Sequence, residues 1–246
     1  MVGAREVYDE LPSTQDRAIA LAREGAADGT RVVARRQRVG RGRSGHSWAS
    51  PPGGLYLSIV TRTPPVGLPL LPLAVGVELA DGLDARWSIR ARLKWPNDLF
   101  VERPGVGVGK LAGVLVDSVA DPEGQPVQVV GVGVNVRRPP GGFRGPMAVP
   151  PVTLEDLVRP APTPEELEPL VAAAVAAAPA ALASPERVAA TVGRCRARLF
   201  GVGRRARSDG GARGTIARLA DDGALVLDVG GTPVALLSGE VSVEVA

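Results

Sequence analysis

Residues 110–136 read KLAGVLVDSVADPEGQPVQVVGVGVNV and form the most strand-like part of the chain. Two valine-rich segments, residues 110–119 and 127–136, stand on either side of a Pro-Glu-Gly sequence. Valine favours strands because its branched side chain packs well on a pleated surface. A continuous apolar run is also typical of a strand that is buried on both faces. The stretch therefore predicts two buried strands.

Further strands and helices are predicted on both sides of this stretch. A hydroxyl at Ser13 and an acid three residues later, at Asp16, predict a capped helix that ends near Gly25. Helical spacing predicts other helices at residues 70–85, 164–178 and 185–200. Strands are predicted at residues 31–37, 55–63, 89–95 and 99–102, the second of these from an alternation of apolar and polar residues.

The last 45 or so residues change character, because short strands and glycine turns replace the helices. Turns are marked by Asp209-Gly210, Asp222-Gly223 and Gly230-Gly231. Five short strands are predicted at residues 204–208, 214–219, 224–229, 233–237 and 241–245. We therefore expect a domain over residues 1–199 and a small β-barrel over residues 200–246.

Bulk composition narrows the possible functions. The 29 basic and 26 acidic residues of the 246-residue chain nearly cancel, which counts against a general nucleic-acid-binding protein. The single cysteine, Cys195, excludes an internal disulfide and fits a reducing cytosol. The sequence has neither an apolar signal core nor a long uninterrupted apolar run, so we expect a soluble, cytoplasmic protein.

Several common active sites are excluded by residue type. A Ser-His-Asp or Cys-His site needs a histidine base, and the only histidine, His46, lies in a glycine-rich loop. No Cys/His cluster has zinc spacing. Pro104 stands where a P-loop needs its first glycine. Residues 40–45 match GxGxxG, but Pro51-Pro52 argue against the helix that a dinucleotide site requires.

The loop of residues 40–48, GRGRSGHSW, is the first candidate site. Its glycines allow close approach to a ligand, and Arg41 and Arg43 suit carboxylates and phosphates. Trp48 adds a flat apolar face. The loop predicts an anionic, partly aromatic ligand such as a nucleotide, although a solvated turn with incidental arginines is equally compatible with this segment alone.

Scarce residue types mark the remaining candidates. The chain has only two lysines, Lys94 and Lys110, and only two asparagines, Asn97 and Asn135. In a chain that otherwise uses arginine, a lysine indicates a position where a compact ammonium is needed. Taken separately, each residue also has an interpretation without a ligand. Lys94 and Asp98 could form a surface ion pair, Lys110 could be an exposed lysine without function at the end of a strand, and Asn135 could be a turn residue.

Together, the motifs GRGRSGHSW, KWPND (residues 94–98), KLAG (residues 110–113) and GVGVNV (residues 131–136) resemble those of the biotin protein ligase family. The order of the motifs is also similar, and the resemblance extends over nearly the whole chain. It implies an α/β (α+β) fold with a mixed, mostly antiparallel sheet. Helices are expected on one face and ligands on the other, with an SH3-like barrel at the C-terminus.

The resemblance also implies an activity. Biotin and ATP would form biotinyl-5'-AMP, with Mg²⁺, and biotin would pass to a lysine of a biotin carboxyl carrier protein. Lys110 and Arg43 are the implied catalytic residues. The implied biotin contacts are Ser13, Thr14, Gln15, Gln37, Arg41, Gly42, Arg43, Lys110 and Gly113. The implied ATP or adenylate contacts are Gly40, Arg41, Arg43, Trp48, Lys94, Asn97, Asp98 and Asn135, with Asp98 also a possible metal ligand.

One departure and two alternatives accompany the resemblance. His46 stands where the family commonly has arginine, which removes a permanent charge from the loop. A lipoate or octanoate ligase of similar fold is the nearest alternative, and a non-catalytic nucleic-acid-binding module is a remote one. The chain begins directly before the catalytic segment, so we expect no DNA binding and a monomer or homodimer.

Overall fold

The computed structural model describes residues 3–63, 65–103, 107–143 and 149–244. Its main sheet has seven strands in the order β1-β2-β3-β7-β6-β5-β4. These strands are β1 (Arg5–Tyr8), β2 (Arg31–Ala34), β3 (Leu55–Thr61), β4 (Arg92–Lys94), β5 (Asp98–Arg103), β6 (Gly107–Ala120) and β7 (Pro126–Val134). Only β1 and β2 pair in parallel, so the expected mixed, mostly antiparallel sheet is confirmed.

The two valine-rich segments form β6 and β7, which pair along their length at the centre of the sheet. In the described part of the chain, four α-helices accompany the sheet: α1 (Thr14–Arg23), α2 (Leu71–Trp87), α3 (Pro164–Ala181) and α4 (Pro185–Ala197). The Ser13 side chain caps α1 by accepting a hydrogen bond from the backbone N–H of Asp16, as the sequence predicts. Strand β1 is the one main-sheet strand that the sequence reading did not include.

The two faces of the main sheet carry different helices. On one face Leu57, Val130 and Val132 belong to a large apolar core that includes α2 and α3. On the other face α1 packs its alanines against Val60 and Val129, which alternate with the first set along the same strands. The expectation that helices occupy one face alone is therefore wrong for α1, whose small apolar side chains let it lie against the opposite face.

This two-sided packing also corrects the interpretation of β3. Its alternating sequence predicted a strand, and alternation is usually found where a strand has one buried and one solvated face. Every residue from Leu55 to Thr61 is buried, because α1 covers one face and α3 the other. Tyr56 and Ser58 therefore point into the protein on the α1 side, where Ser58 bonds α1 side chains.

A second sheet follows α4 and has five antiparallel strands in the order β11-β10-β9-β8-β12. They are β8 (Arg205–Ser208), β9 (Arg213–Leu219), β10 (Leu225–Val229), β11 (Thr232–Leu236) and β12 (Val241–Val243), which confirms the five predicted strands. The SH3-like class and the division after residue 199 stay predictions.

The second sheet shares its apolar core with the first. Ile216, Leu219 and Leu227 belong to the same buried cluster as the residues of α2 and the main sheet. The Trp95 indole N–H, at the end of β4, donates a hydrogen bond to the carbonyl of Gly223 at 3.0 Å. The five strands are therefore packed onto the main body through buried contacts.

Candidate ligand-binding site

A cavity of about 540 Å³ lies on the α1 face of the main sheet, and the loop of residues 40–48 and the start of β12 also line it. Its floor is made of three glycines on the central strands, Gly113, Gly131 and Gly133. A methyl group at Gly131 would come within 2.4 Å of the Gln15 Oε1 atom, and one at Gly133 within 2.6 Å of the Trp48 ring. The absence of side chains here therefore lets Gln15 and Trp48 lie directly against the sheet.

One end of the cavity is a network of amides and hydroxyls. The Gln37 Oε1 atom accepts hydrogen bonds from the Thr14 backbone N–H (2.8 Å) and hydroxyl (3.1 Å). The hydroxyl of Ser58 lies 2.9 Å from that of Thr14 and donates to Gln15 Oε1 at 2.9 Å. Ser13 is buried beside them as the cap of α1. The first turn of α1 thus presents polar groups to the head of the cavity.

The opposite part of the cavity is cationic. Lys94 at the end of β4 and Lys110 on β6 both line it, together with Arg43 of the loop. Burial lowers the pKa of Lys94, partly offset by the charge of Asp98, and the nearby positive charges of Lys110 and Arg43 lower it further. Among the described residues, Lys94 forms no side-chain hydrogen bond or ion pair, and it lines the cavity.

A β-bulge aims Lys110 at the cavity. Asp98 pairs with Gly113 and Phe100 pairs with Lys110, so one extra residue of β6 is accommodated between those two pairs. Without this extra residue, Lys110 and Gly113, which are three apart, would face opposite sides of the sheet. The Lys110 ammonium instead lies 2.8 Å from Asp98 Oδ2 and 5.0 Å from the centre of the Trp48 ring.

The two loop arginines have different partners. Arg41 donates to Asp16 Oδ1 at 2.8 Å and lies 3.3 Å from Asp117 Oδ2, so two carboxylates hold its guanidinium. Arg43 makes one long hydrogen bond, 3.4 Å, to the carbonyl of Gly239 just before β12. Arg43 therefore lies with Lys110 close enough to Lys94 to lower its pKa, whereas Arg41 is paired with carboxylates near the head of the cavity.

Trp48 lies over the glycine floor between the two ends of the cavity. Its indole Nε1 atom is buried and has no hydrogen-bond partner among the described residues. A buried N–H without a partner costs free energy, because water has been removed and nothing replaces it. The Nε1 atom lies against Gly133 of the floor, so it is the ring face lining the cavity that is available for a ligand to stack on.

The side chains of the two asparagines donate hydrogen bonds to backbone carbonyls beside the cavity. The Asn97 side chain donates to the carbonyl of Val114 at 2.8 Å, and the Asn135 side chain donates to the carbonyl of Lys110 at 3.0 Å. Each amide thus fixes strand β6, which carries Lys110 and Gly113. Both residues also line the cavity, so a ligand contact is compatible with this structural role.

Nearly all of the site residues expected from the sequence are brought together in this one cavity. Gly40 is the exception: a methyl group there would meet the Trp48 carbonyl at 2.4 Å, so Gly40 permits tight packing beneath the loop. The sequence reading missed Ser58, Gly131, Gly133 and Glu240, all of which line the cavity. The alternation of glycine and valine at residues 131–134 was the available signal for the floor.

Within residues 3–63, 65–103, 107–143 and 149–244, no group of three or more His, Cys, Asp or Glu side chains is placed to hold a metal ion. Over the same part of the chain, no helix is both long and apolar enough to cross a membrane.

A hydrogen-bonding head, a glycine floor under an indole ring and a cationic rim define a site for an elongated ligand with an anionic end. The sequence profile of the biotin/lipoate A/B protein ligase family matches residues 9–136. The chain belongs to this family, and within it to the biotin protein ligases.

Individual relatives support this assignment. A biotin–[acetyl-CoA-carboxylase] ligase of Paracoccus denitrificans is 36% identical over 169 residues, which cover 67% of this chain and 68% of that protein. The bifunctional ligase/repressor BirA of Bacillus subtilis is 34% identical over 148 residues, covering 58% of this chain and only 44% of that relative. The structure of the biotin protein ligase of Aquifex aeolicus with biotin and ATP has a TM-score of 0.81, at 25% identity and 99% coverage of both chains.

Proposed function

We propose that this chain is an ATP-dependent ligase that joins biotin to AMP as biotinyl-5'-AMP and then transfers biotin to a lysine of a biotin carboxyl carrier protein. The observation that carries the proposal is the presence, in one cavity, of a polar head built from α1 and a cationic rim built from Lys94, Lys110 and Arg43. Biotin has the matching layout: a cyclic urea at one end and a carboxylate at the other.

The head network suits a urea because it offers both donors and acceptors. Each of the Thr14 and Ser58 hydroxyls has one proton, which it can turn from Gln37 or Gln15 to a urea carbonyl, and Gln15 Oε1 can then accept from a urea N–H. Lipoate and octanoate carry apolar heads that offer none of these hydrogen bonds but still exclude water from the polar groups of the pocket, so biotin should bind more tightly.

The cationic rim suits the first chemical step. A carboxylate oxygen of biotin attacks the α-phosphorus of ATP, the bond to the β-phosphate oxygen breaks, and pyrophosphate leaves. Because both reactants are anions, positive charge held at the reacting centre is the main requirement. Lys110 is assigned to the biotin carboxylate and α-phosphate, and Arg43 and Lys94 to the neighbouring phosphates. Trp48 offers its ring to the nucleotide.

Mg²⁺ is expected with the phosphates of ATP. Mg²⁺ in nucleotide sites is commonly held by one or two carboxylates together with the phosphates. Asp98 and Glu240 are the carboxylates that line the cavity among the described residues, and Asp98 is already paired with Lys110. This donor set fits an ion carried by ATP. The ion would neutralise charge on the leaving pyrophosphate.

The second step needs no nucleophile from the ligase. A neutral lysine amine of the acceptor attacks the acyl carbon of the mixed anhydride, the amide bond forms, AMP leaves and the amine loses a proton. Cys195, the chain's cysteine, is buried and belongs to the apolar core, which agrees with this assignment. The loop of residues 40–48 would shield the anhydride from water until the acceptor arrives.

A mass measurement tests the proposal. The protein is incubated with ATP, Mg²⁺, biotin and a biotin carboxyl carrier domain, and the domain is expected to gain the mass of one biotinyl group. Matched controls are an acceptor with its target lysine changed to arginine and the ligase variant Lys110→Ala. Unmodified acceptor, together with free biotin that is not adenylated, would reject the proposal.

A comparison of melting temperatures with biotin, lipoate and octanoate separates a biotin ligase from a lipoate or octanoate ligase. Biotin is expected to raise the melting temperature of the protein, and lipoate and octanoate are expected to leave it nearly unchanged. Stabilisation by lipoate that equals or exceeds that by biotin would favour the lipoate ligase alternative.

A further inference from the structure

The carboxylate of Asp117 on β6 touches two different parts of the proposed site. Gln15 Nε2, from the head of the cavity, donates to Asp117 Oδ2 at 3.0 Å. Arg41, from the loop, lies 3.3 Å from the same oxygen and 3.4 Å from Asp117 Oδ1. The Asp117 side chain is only 26% exposed, so these contacts are partly shielded from water. A single anion therefore joins the head to the loop.

Asp117 helps to fix the orientation of the Gln15 amide. Both hydrogens of Gln15 Nε2 are used, one by Asp117 and the other by the carbonyl of Val129 at 2.9 Å. A carboxylate accepts hydrogen bonds and cannot donate them, so the reversed amide would place oxygen against oxygen. The amide oxygen is thereby kept toward Ser58 and the cavity floor.

Asp117 also holds the base of the loop. Arg41 pairs with Ser47 across the loop, so the position of its side chain affects the whole segment between them. Its guanidinium lies between Asp117 on β6 and Asp16 in the first turn of α1. Among the described residues, Asp16 forms no hydrogen bond with the Gln15 side chain, so only Asp117 contacts both Gln15 and Arg41.

We propose that Asp117 is a positioning residue that couples occupation of the biotin head pocket to closure of the loop of residues 40–48. The proposal rests on the proposed function. When a ligand donates a hydrogen bond to Gln15 Oε1, the Gln15 amide and Asp117 are held in place, and the Arg41 contact that keeps the loop closed is held with them. Loss of the Asp117 charge should therefore weaken ligand binding and loop closure together.

The experiment compares three variants by two measurements that do not require turnover. Calorimetric titration gives the dissociation constant of biotin, and trypsin cleavage after Arg41 or Arg43 reports whether the loop is closed, with and without saturating biotin. For Asp117→Asn, we expect the dissociation constant to rise about threefold to tenfold. We also expect the protection of the loop by biotin to be lost.

Asp16→Asn is the matched control, because it removes the other carboxylate of Arg41 and leaves the Gln15 contacts in place. Its loop should be cleaved faster, and its dissociation constant for biotin should rise less than in Asp117→Asn, because closure is weakened while the Gln15 amide keeps its partner. Asp117→Glu keeps the charge and is expected to restore both properties to within about threefold. Melting temperatures establish that each variant is folded, and Asp117→Ser replaces Asp117→Asn if the latter does not fold.

Three outcomes overturn the coupling. One is unchanged biotin affinity in the folded Asp117→Asn or Asp117→Ser variant. Another is an equal loss of affinity in Asp16→Asn. The third is a folded Asp117→Glu variant with the defects of Asp117→Asn. A wild-type protein that does not bind biotin would instead sink the proposed function itself, so the two failures are distinguishable.

Discussion

The ammonium of Lys110 lies 2.8 Å from Asp98 Oδ2, across neighbouring antiparallel strands and beside a β-bulge. The ion pair holds the lysine at the cationic end of the cavity, within reach of the Trp48 ring. A charge fixed in this way is ready for a transition state in which two anions approach, because little reorganisation is then needed.

The first prediction concerns this charge. Lys110→Ala or Arg43→Ala should lower the rate of biotin-dependent pyrophosphate release by roughly tenfold or more, since each removes a cation from the reacting phosphates. Lys110→Arg is the matched variant. It keeps the charge and changes the shape of the cation, so its loss should be smaller. Wild-type rates of release in both alanine variants would contradict the assignment.

The glycine floor gives a second prediction. Gly131→Ala places a methyl group against Gln15, and Gly133→Ala places one against Trp48. Overpacking of this kind costs about 1–3 kcal/mol, so the KM for biotin should rise about fivefold or more in the first variant and the KM for ATP in the second. Steady-state kinetics with each substrate varied in turn measures the split.

Gly193→Ala is the control for these substitutions. Gly193 lies inside helix α4, and a methyl group there meets no atom within 4 Å. Alanine should stabilise this helix by about 0.5–1 kcal/mol and leave both KM values unchanged. If Gly131→Ala and Gly133→Ala raised the KM values for biotin and ATP equally, the assignment of Gly131 to biotin and Gly133 to ATP would be wrong.

A third prediction follows from the lowered pKa of Lys94, whose first cause is burial. The ordinary pKa of a lysine is 10.5, and the pKa of Lys94 in the folded protein lies below it. At a pH below the folded-state pKa, Lys94 is charged in both the folded and the unfolded protein. The folded protein then bears the cost of burying that charge. Lys94→Met should remove that cost and raise the melting temperature at neutral pH by about 2–4 °C. The same variant should lose adenylate formation.

The pH dependence of this effect has a definite sign. As pH rises from the folded-state pKa to 10.5, the folded protein releases the Lys94 proton and the unfolded chain keeps it, so the wild type gains stability. The advantage of Lys94→Met should therefore shrink across that window. Lys94→Arg keeps a charge and should show no stabilisation. A methionine variant that melts below the wild type at pH 7 would refute this account.

The loop histidine leads to a fourth prediction. His46 Nε2 lies 3.4 Å from Glu240 Oε2, so this loop residue faces the segment just before β12. His46→Arg supplies a permanent charge opposite Glu240. Exposed pairs of this kind contribute about 0.2–1 kcal/mol, and so the bound adenylate should dissociate up to about fivefold more slowly. A chase with unlabelled biotin measures the rate.

A double variant isolates the contribution of this pair. Glu240→Gln in the His46→Arg background should abolish the gain, because the new charge then has no anion opposite it. Slower dissociation that persists in the double variant would mean that arginine acts on the ligand directly.

Much of this architecture could be predicted from the sequence, for reasons that differ between elements. Strands β6 and β7 followed from valine runs, and α1 from its cap, because these signals are local. Strand β1 was missed because its four residues are stabilised by parallel pairing with β2. The burial of β3 depends on helices distant in sequence, so alternation along the strand could not reveal it.

The site, too, has residues that the sequence indicates and residues that only the structure reveals. The two lysines and two asparagines, which are scarce in the sequence, all line the cavity and could be singled out from the sequence alone. The roles of Gly131 and Gly133 depend on which face each strand residue occupies, which only the pairing register gives. The pairing of Arg41 with Asp16 and Asp117 joins three separate segments, and nothing in the sequence of the loop distinguishes Arg41 from Arg43 in this respect.

The buried cluster that runs through both sheets has a consequence for how the molecule comes apart. Ile216, Leu219 and Leu227 cover apolar surface of the main body, so deletion of residues 200–246 would leave that surface open to water. We therefore expect heat to melt the chain in a single cooperative transition, and the shortened chain to aggregate when expressed by itself.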